Sequence, residues 1–252
     1  MDVRDYYENQ YDEKNRLFRD NANKVEYLTT VHFLDKFIPP NSRVLDACAG
    51  GGVYAFYLAE KGHQVTAGDF TPKHVEAMKA NPKAHILADI RINNALDMGD
   101  FADDSFDAVL CFGALYHLMD ADDRQKCVAE CLRVTKAGGP AMFAYINRNG
   151  MYLDSITRGN GDIVSRVKLM KTGINEPFYG MDFGEADELF NGFDLDKIAD
   201  IGVDGSRYPL ATQLNNASDA EFAGFMDYHI ATCQQPSIIG NSMHGLYIGI
   251  KK

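Results

Sequence analysis

The segment Val44-Leu45-Asp46-Ala47-Cys48-Ala49-Gly50-Gly51-Gly52 constrains the fold more than any other stretch of the chain. A short apolar run stops at a carboxylate, three glycines follow, and apolar residues resume at helical spacing. Such a junction opens a parallel α/β unit. Its glycines let a ligand approach the backbone, and the first helical turn offers unpaired N–H groups. The alternation then continues to Asn147. Strands are predicted at Arg43–Cys48, Gln64–Asp69, His85–Asp89, Asp107–Phe112 and Ala141–Ile146. The helices between them fall at Tyr54–Lys61, Pro72–Ala80 and Asp122–Thr135, with Gly138-Gly139-Pro140 as the turn before the fifth strand. Alternating strands and helices of these lengths predict an α/β fold, a doubly wound, mostly parallel sheet with helices on both faces.

Outside this core the pattern is looser. Tyr6 to Phe37 has helical spacing, and Tyr6, Tyr7 and Tyr11 are candidates to lie over the ligand edge of the sheet. Gly150 to Asn175 reads as inserted helix and loop, Ala186–Asn191 as a short helix and Leu195–Val203 as a strand. Ser218–Thr232 reads as a helix with Ser218 as cap and Glu221 at its third position, and Met243–Ile250 as a closing strand. The division expected is an N-terminal helical lid segment over 1–40 and one domain over 41–252, with a helical insertion at about 150–180.

Charge and cysteine usage exclude several classes. Lys plus Arg number 25 against 36 Asp plus Glu, a net charge of −11 with no basic cluster, so nucleic acid is not the expected partner. No apolar stretch approaches the ~20 residues of a membrane helix, and the start lacks the apolar run of a signal peptide, so a cytoplasmic protein is expected. Five cysteines make an odd count. Cys127 and Cys131 stand four apart in a helical segment, which gives neither a disulfide framework nor a zinc spacing.

The glycine turn selects its ligand by charge. Val53 and Tyr54 follow Gly52 where a phosphate-cradling P-loop needs Lys, which sets NTPases and kinases aside. Gly50 to Ala55 also satisfies G-x-G-x-x-A, with Asp69 ending the next strand, so a dinucleotide site remains a rival. Asp46 discriminates. At the mouth of the turn NAD would place a doubly negative pyrophosphate, whereas S-adenosylmethionine would place an ammonium and a sulfonium. A unit pair at roughly 4 Å and an effective dielectric near 20 is worth on the order of 4 kcal/mol before desolvation, which favours the cation. Asp69 can accept from both ribose hydroxyls, and Phe70 beside it can pack on adenine.

With these residues the sequence resembles the class I S-adenosylmethionine-dependent methyltransferases. Their first motif, roughly V-L-D-x-G-x-G-x-G, is matched by Val44 to Gly52 with Cys48 in place of the first glycine, and their second by Val65 to Asp69. Asn94 to Met98 and Asp104 to Leu110 resemble the adenine-contacting loop and fourth strand, with Asn94 where many members carry an acid. Lys136-Ala137-Gly138-Gly139 resembles the K-P-G-G turn. Leu110 to Leu118 is similar to the fourth-strand exit of the ubiquinone/menaquinone-biosynthesis-like small-molecule branch, methyltransferase type 11. The resemblance implies a Rossmann-like sheet of seven strands with the last antiparallel. It also implies cofactor contacts from Asp46, Ala47, Gly50 and Gly52 on the first turn, from Asp69 and Phe70 on the second, and from Asn94, Ala95, Phe112 and Tyr27. The product would be S-adenosylhomocysteine and the partner a small-molecule acceptor.

In-line methyl transfer needs alignment and water exclusion more than a triad. For a hydroxyl or thiol acceptor a base helps. His117, just past the fourth strand, is the candidate base, with Tyr116 as a positioning group; packing at the next helix start is the competing reading. Tyr27, Tyr116, Arg148, Tyr152, Phe178 and Tyr179 are candidates to line the acceptor pocket. Asp120, Asp122 and Asp123 read as a capped helix N-terminus, and no metal is expected. An NAD oxidoreductase and a non-catalytic S-adenosylmethionine-binding protein are the alternatives.

Overall fold

The computed structural model describes residues 3–9, 16–157, 159, 163, 164, 166–182 and 184–252. The strands are β1 (Arg43–Asp46), β2 (Gln64–Asp69), β3 (Asp89–Ile92), β4 (Ala108–Cys111), β5 (Pro140–Asn147), β6 (Ile174–Asn175), β7 (Phe178–Met181), β8 (Leu195–Gly202) and β9 (His244–Lys251). The first five are parallel neighbours in the order β3-β2-β1-β4-β5. β9 runs antiparallel along β5 from Pro140 to Ile146, and β8 runs antiparallel along β9. The main sheet therefore has the expected seven strands with an antiparallel closing strand. Two further strands follow the helices in the expected insertion at about 150–180. β6 and β7 form a hairpin, and β7 pairs with Ile146 and Asn147 where β5 runs past the end of β4.

Burial on both faces explains why the central strands were legible. Alternate residues fall into two separate cores: Leu45, Val109, Cys111, Phe143 and Tyr145 into one, Val44, Ala108, Leu110 and Met142 into the other. Strands covered on both sides read as unbroken apolar runs. β3 is the exception. It was expected at His85–Asp89, but Ala84–Ile86 form a 3-10 turn and the strand starts at Asp89. As an edge strand with one exposed end, Ile92 being 49% exposed, it carries no apolar signature.

Helices α1 (Val3–Asn9) and α2 (Asn21–Phe37) replace the single N-terminal helical stretch, and Tyr11 lies outside the described residues. α3 (Val53–Glu60), α4 (Pro72–Lys79) and α5 (Ala121–Val134) are the crossover helices. α6 (Arg148–Thr157) and α7 (Val167–Thr172) precede the hairpin, and α8 (Glu185–Asn191) precedes β8. α9 (Ala211–Asn216), α10 (Asp219–Thr232) and α11 (Pro236–Asn241) complete the chain; α9 and α11 are too short to show periodicity and were not predicted. Ser218 and Glu221 form the anticipated capping box, and Asp120 accepts from the Asp122 N–H at the start of α5. The thiols of Cys127 and Cys131, one turn apart on α5, face the sheet, where the Cys111 Sγ lies 3.6 Å from that of Cys127. All five cysteines are unpaired, and no helix among the described residues is long and apolar enough to cross a membrane.

The N-terminal part is fastened by buried charge. Glu26 on α2 accepts two hydrogen bonds from Arg16, at 2.6 and 2.7 Å, and faces Arg207 at 3.7 Å and His244 at 3.5 Å. Asp204 pairs with His244 at 2.8 Å and Arg207 at 3.5 Å. This network joins α2 to β9 and to the loop after β8. The strand order reverses between β1 and β4, and the crevice at that reversal is where doubly wound sheets place ligands.

Candidate active site

A cavity of about 900 Å³ opens at this reversal. Its floor is the turn after β1, its sides are the exits of β2, β3 and β4, and Val3, Tyr7 and Arg16–Phe18 cover it from the N-terminal segment. The turn is held by backbone bonds from Ala47 N to Leu110 O and from Ala49 N to Gly68 O, both 2.8 Å. Gly50 adopts φ +53, a left-handed conformation that glycine reaches without strain, and its N–H donates to the Asp69 Oδ2 at 2.8 Å. A Cβ on Gly50 or Gly51 would meet no atom within 4 Å, so the backbone itself faces the cavity. Gly52 does different work. A Cβ there would lie 2.8 Å from the Phe56 ring and 3.0 Å from Met78, so its absence lets α3 pack on α4. Cys48, where the motif has glycine, is accommodated from across the cavity: a Cβ on Gly113 would come within 3.1 Å of the Cys48 Cβ.

Asp46 is the electrostatic anomaly of the floor. It is 1% exposed, its Oδ1 has no hydrogen-bond partner, and no cationic side chain among the described residues forms an ion pair with it. Burial, reinforced by the neighbouring Asp69 and opposed only by the Cys48 N–H, pushes its carboxyl up to about 7. A buried carboxylate without a partner is costly. The position is suited to a ligand that brings positive charge, and a phosphate there would raise the cost further. Asp69 is already engaged: Oδ2 accepts from Gly50, and Oδ1 accepts from Thr71 N at 2.8 Å and lies 3.1 Å from the His74 Nδ1. It ties the first turn to the second while keeping lone pairs toward the cavity.

Ten of the twelve named site residues line the cavity: Asp46, Gly50, Asp69 and Phe70, then Asn94, Ala95, Phe112, Tyr116, His117 and Tyr27. Ala47 and Gly52 lie behind the wall, in backbone support and helix packing. The Phe70 ring lies under the Arg4 guanidinium at 3.8 Å. The Asn94 side-chain carbonyl accepts from Leu96 N at 3.0 Å, so that amide shapes the loop. Sequence reasoning missed its neighbour. Asn93 is buried, crosses over Gly68 and donates to the Ala47 carbonyl at 2.9 Å. The Asn-Asn pair after β3 was the available signal.

Among the acceptor-pocket candidates, Tyr27 and Tyr116 line the cavity; Arg148, Tyr152, Phe178 and Tyr179 do not. Arg148 bonds to the Gly180 carbonyl and Asp182, and Tyr179 donates to Glu185, so both are drawn into polar contacts behind the wall by the unpredicted hairpin. Phe178 backs the His117 ring, with centroids 5.0 Å apart.

His117 sits in the turn after β4. Its Nδ1 lies 2.8 Å from the Pro177 carbonyl, which can only accept, so Nδ1 carries the proton. Burial lowers its pKa, against the opposing pull of that carbonyl and of Asp69, and the ring is therefore neutral at pH 7 with a lone pair on Nε2. The Tyr7 hydroxyl lies 2.9 Å from that nitrogen. The Tyr116 hydroxyl donates to Phe112 O at 3.4 Å.

Comparison with known proteins gives the same frame. Residues 45–143 match the family model described as a methyltransferase domain. The ubiquinone biosynthesis O-methyltransferase of Xanthomonas campestris pv. campestris (strain B100) is 32% identical over 110 residues, 43% of this chain and 45% of that protein. The match thus spans about half the length of the curated relative. The structure of the PH0226 protein from Pyrococcus horikoshii OT3 superimposes with a TM-score of 0.61 at 15% identity, covering 96% of this chain and 100% of that one. A SAM-dependent methyltransferase from Methanosarcina mazei gives 0.58 at 16%, covering 87% and 96%.

Proposed function

Residues 45–143 are a class I S-adenosylmethionine-dependent methyltransferase domain, and from that premise we propose that the protein methylates a hydroxyl of a small-molecule acceptor. The observation that carries the cofactor reading is the buried, unpartnered Asp46 oxygen at the floor of the cavity. Asp46 would hold the cationic end of the cofactor, the open backbone of Gly50 and Gly51 would let it approach, and Asp69, Phe70 and the Asn94–Ala95 loop would hold its nucleoside. When bound, S-adenosylmethionine supplies an activated methyl group on sulfur and leaves as S-adenosylhomocysteine.

The chain's own part is binding, orientation and proton removal. The Pro177 carbonyl fixes the His117 tautomer, so that Nε2 presents a base to the cavity. Tyr116 flanks this ring, with centroids 4.8 Å apart, and helps to position the acceptor. The described part of the N-terminal segment serves as a cover that excludes water, a role supported by Val3, Tyr7 and Arg16–Phe18 in the cavity lining. An oxygen acceptor is supported by the basic nitrogen and by the O-methyltransferase name of the matched relatives. A cytoplasmic setting is supported by five unpaired cysteines.

Calorimetric titration with S-adenosylhomocysteine and with NAD tests the cofactor. Binding of the first with no response to the second is expected; tight NAD binding alone would overturn the reading. Mass spectrometry of products formed from methyl-labelled cofactor and a metabolite extract then identifies the acceptor.

A further inference from the structure

Tyr7 stands apart from the residues that the sequence motifs single out. It belongs to the first helix, far from the glycine turn in sequence, yet its hydroxyl reaches the basic nitrogen of His117 at 2.9 Å. The helix that carries it is seated at several points. The Lys73 Nζ donates to the Tyr7 carbonyl at 3.1 Å, Arg4 lies over Phe70, and Tyr6 meets Phe178 edge-on at 5.6 Å between centroids. The Tyr7 ring itself lies edge-on to both His74 and His117, at 5.2 and 5.4 Å.

The direction of the contact follows from the far side of the imidazole. Nδ1–H donates to the Pro177 carbonyl, so Nε2 accepts and the Tyr7 O–H donates. A base whose lone pair already receives a phenolic proton takes further protons through that phenol. A phenol oxygen accepts one hydrogen bond while giving another. Tyr7 lines the same cavity as Asp46 and His117.

We propose that Tyr7 is a further catalytic residue, the hydroxyl through which the acceptor's proton reaches His117. This rests on the methyl-transfer reading above. In the step, the acceptor O–H bond breaks and its proton passes to the Tyr7 oxygen, as the Tyr7 proton passes to His117 Nε2. The freed oxygen electron pair forms the bond to the methyl carbon, and the carbon–sulfur pair leaves with sulfur. One positive charge disappears at the sulfonium and one appears on the imidazolium, so the balance closes. Tyr7 is neutral before and after.

The test compares wild type with Tyr7→Phe, which keeps the ring and its edge contacts. The probe is tritiated-methyl S-adenosylmethionine with a protein-free bacterial metabolite extract, read as label transferred per unit time. S-adenosylhomocysteine affinity is measured in parallel. General acid–base groups contribute about 10²–10⁴ in rate, so a fall of at least about tenfold is expected. Cofactor affinity should stay within about twofold, and the solvent deuterium isotope effect should shrink because one proton in flight is removed. A rate within threefold of wild type, or faster, would overturn the proposal. So would a fall matched by an equal loss of cofactor affinity, which would make Tyr7 part of the cofactor's cover. If neither protein transfers label while both bind S-adenosylhomocysteine, the methyl-transfer reading itself fails, and the inference with it.

Discussion

Two buried carboxylates of this protein have opposite surroundings. Glu26, in the seam between α2 and β9, is met by Arg16, Arg207 and His244, and these cations outweigh its burial and hold its carboxyl well below the usual range. Asp46, in the floor of the cavity, is as deeply buried but has no cationic partner among the described residues, and its carboxyl rises to about 7. The same functional group is thus a structural tie where a cation is supplied, and, on the function proposed above, a binding feature where none of the described residues supplies one. An uncompensated buried charge is disfavoured in isolation, and its retention at a ligand edge marks where charge arrives from outside.

The largest effect should come from breaking the compensated member. Glu26→Gln removes the anion that Arg16 pairs with and leaves Arg207 paired with Asp204, and removing one partner from a buried pair costs about 3–5 kcal/mol. Chemical denaturation should show that loss; a change below 1 kcal/mol would erase the contrast. Asp46→Asn should do the reverse in the cofactor-free protein. At pH 8 it removes a desolvated charge and should raise the melting temperature by about 2–4 °C for each kcal/mol relieved. S-adenosylmethionine affinity should fall at least tenfold, about 1.4 kcal/mol. Loss of affinity with no gain in stability would mean that the carboxylate is already compensated.

The two groups should also respond oppositely to pH. The folded carboxyl of Asp46 titrates near 7 and the unfolded one near 3.8, so the folded state holds the extra proton between these values and stability falls as pH rises through that window. Glu26 has its pKa depressed on folding. Its contribution is present above the unfolded value of 4.5 and is lost as pH falls below it toward the folded one. Melting temperatures of wild type and Asp46→Asn should therefore diverge from pH 4 to pH 7 and run parallel above. S-adenosylmethionine affinity should tighten through pH 7 in wild type and stay flat in the variant. The smallest effect is the control. Glu76 pairs with Lys79 at 3.2 Å on an exposed helix face, and Glu76→Gln should move the melting temperature by less than about 2 °C.

The residues that were legible in sequence share one property: their signal is local. β1, β2, β4 and β5 are covered on both faces and read as apolar runs, and the glycine turn is contiguous, so Asp46, Gly50 and Asp69 could be named in advance. β3 was placed four residues early and the hairpin β6–β7 was missed, because an edge strand and strands of two and four residues carry no period. Without the hairpin, the sequence places Arg148 and Tyr179 among the pocket candidates, whereas the hairpin draws them into polar contacts away from the cavity lining. The motif position of Gly52 does not reveal that its missing Cβ also makes room for Phe56 and Met78.

The sequence by itself determined the doubly wound α/β sheet and the edge at which the cavity opens, because strand runs and turn glycines act over a few residues. Only the tertiary structure decided which carboxylate is left without a cation. Arg16 and Glu26 are ten residues apart, but Arg207 and His244 arrive from the far end of the chain, and no cation of the described residues arrives at Asp46. It likewise decided the state of His117, whose tautomer is set by Pro177 and whose lone pair is met by Tyr7, 110 residues away. Charge compensation and proton position depend on distances of a few ångströms between groups remote in sequence, and packing alone fixes those distances.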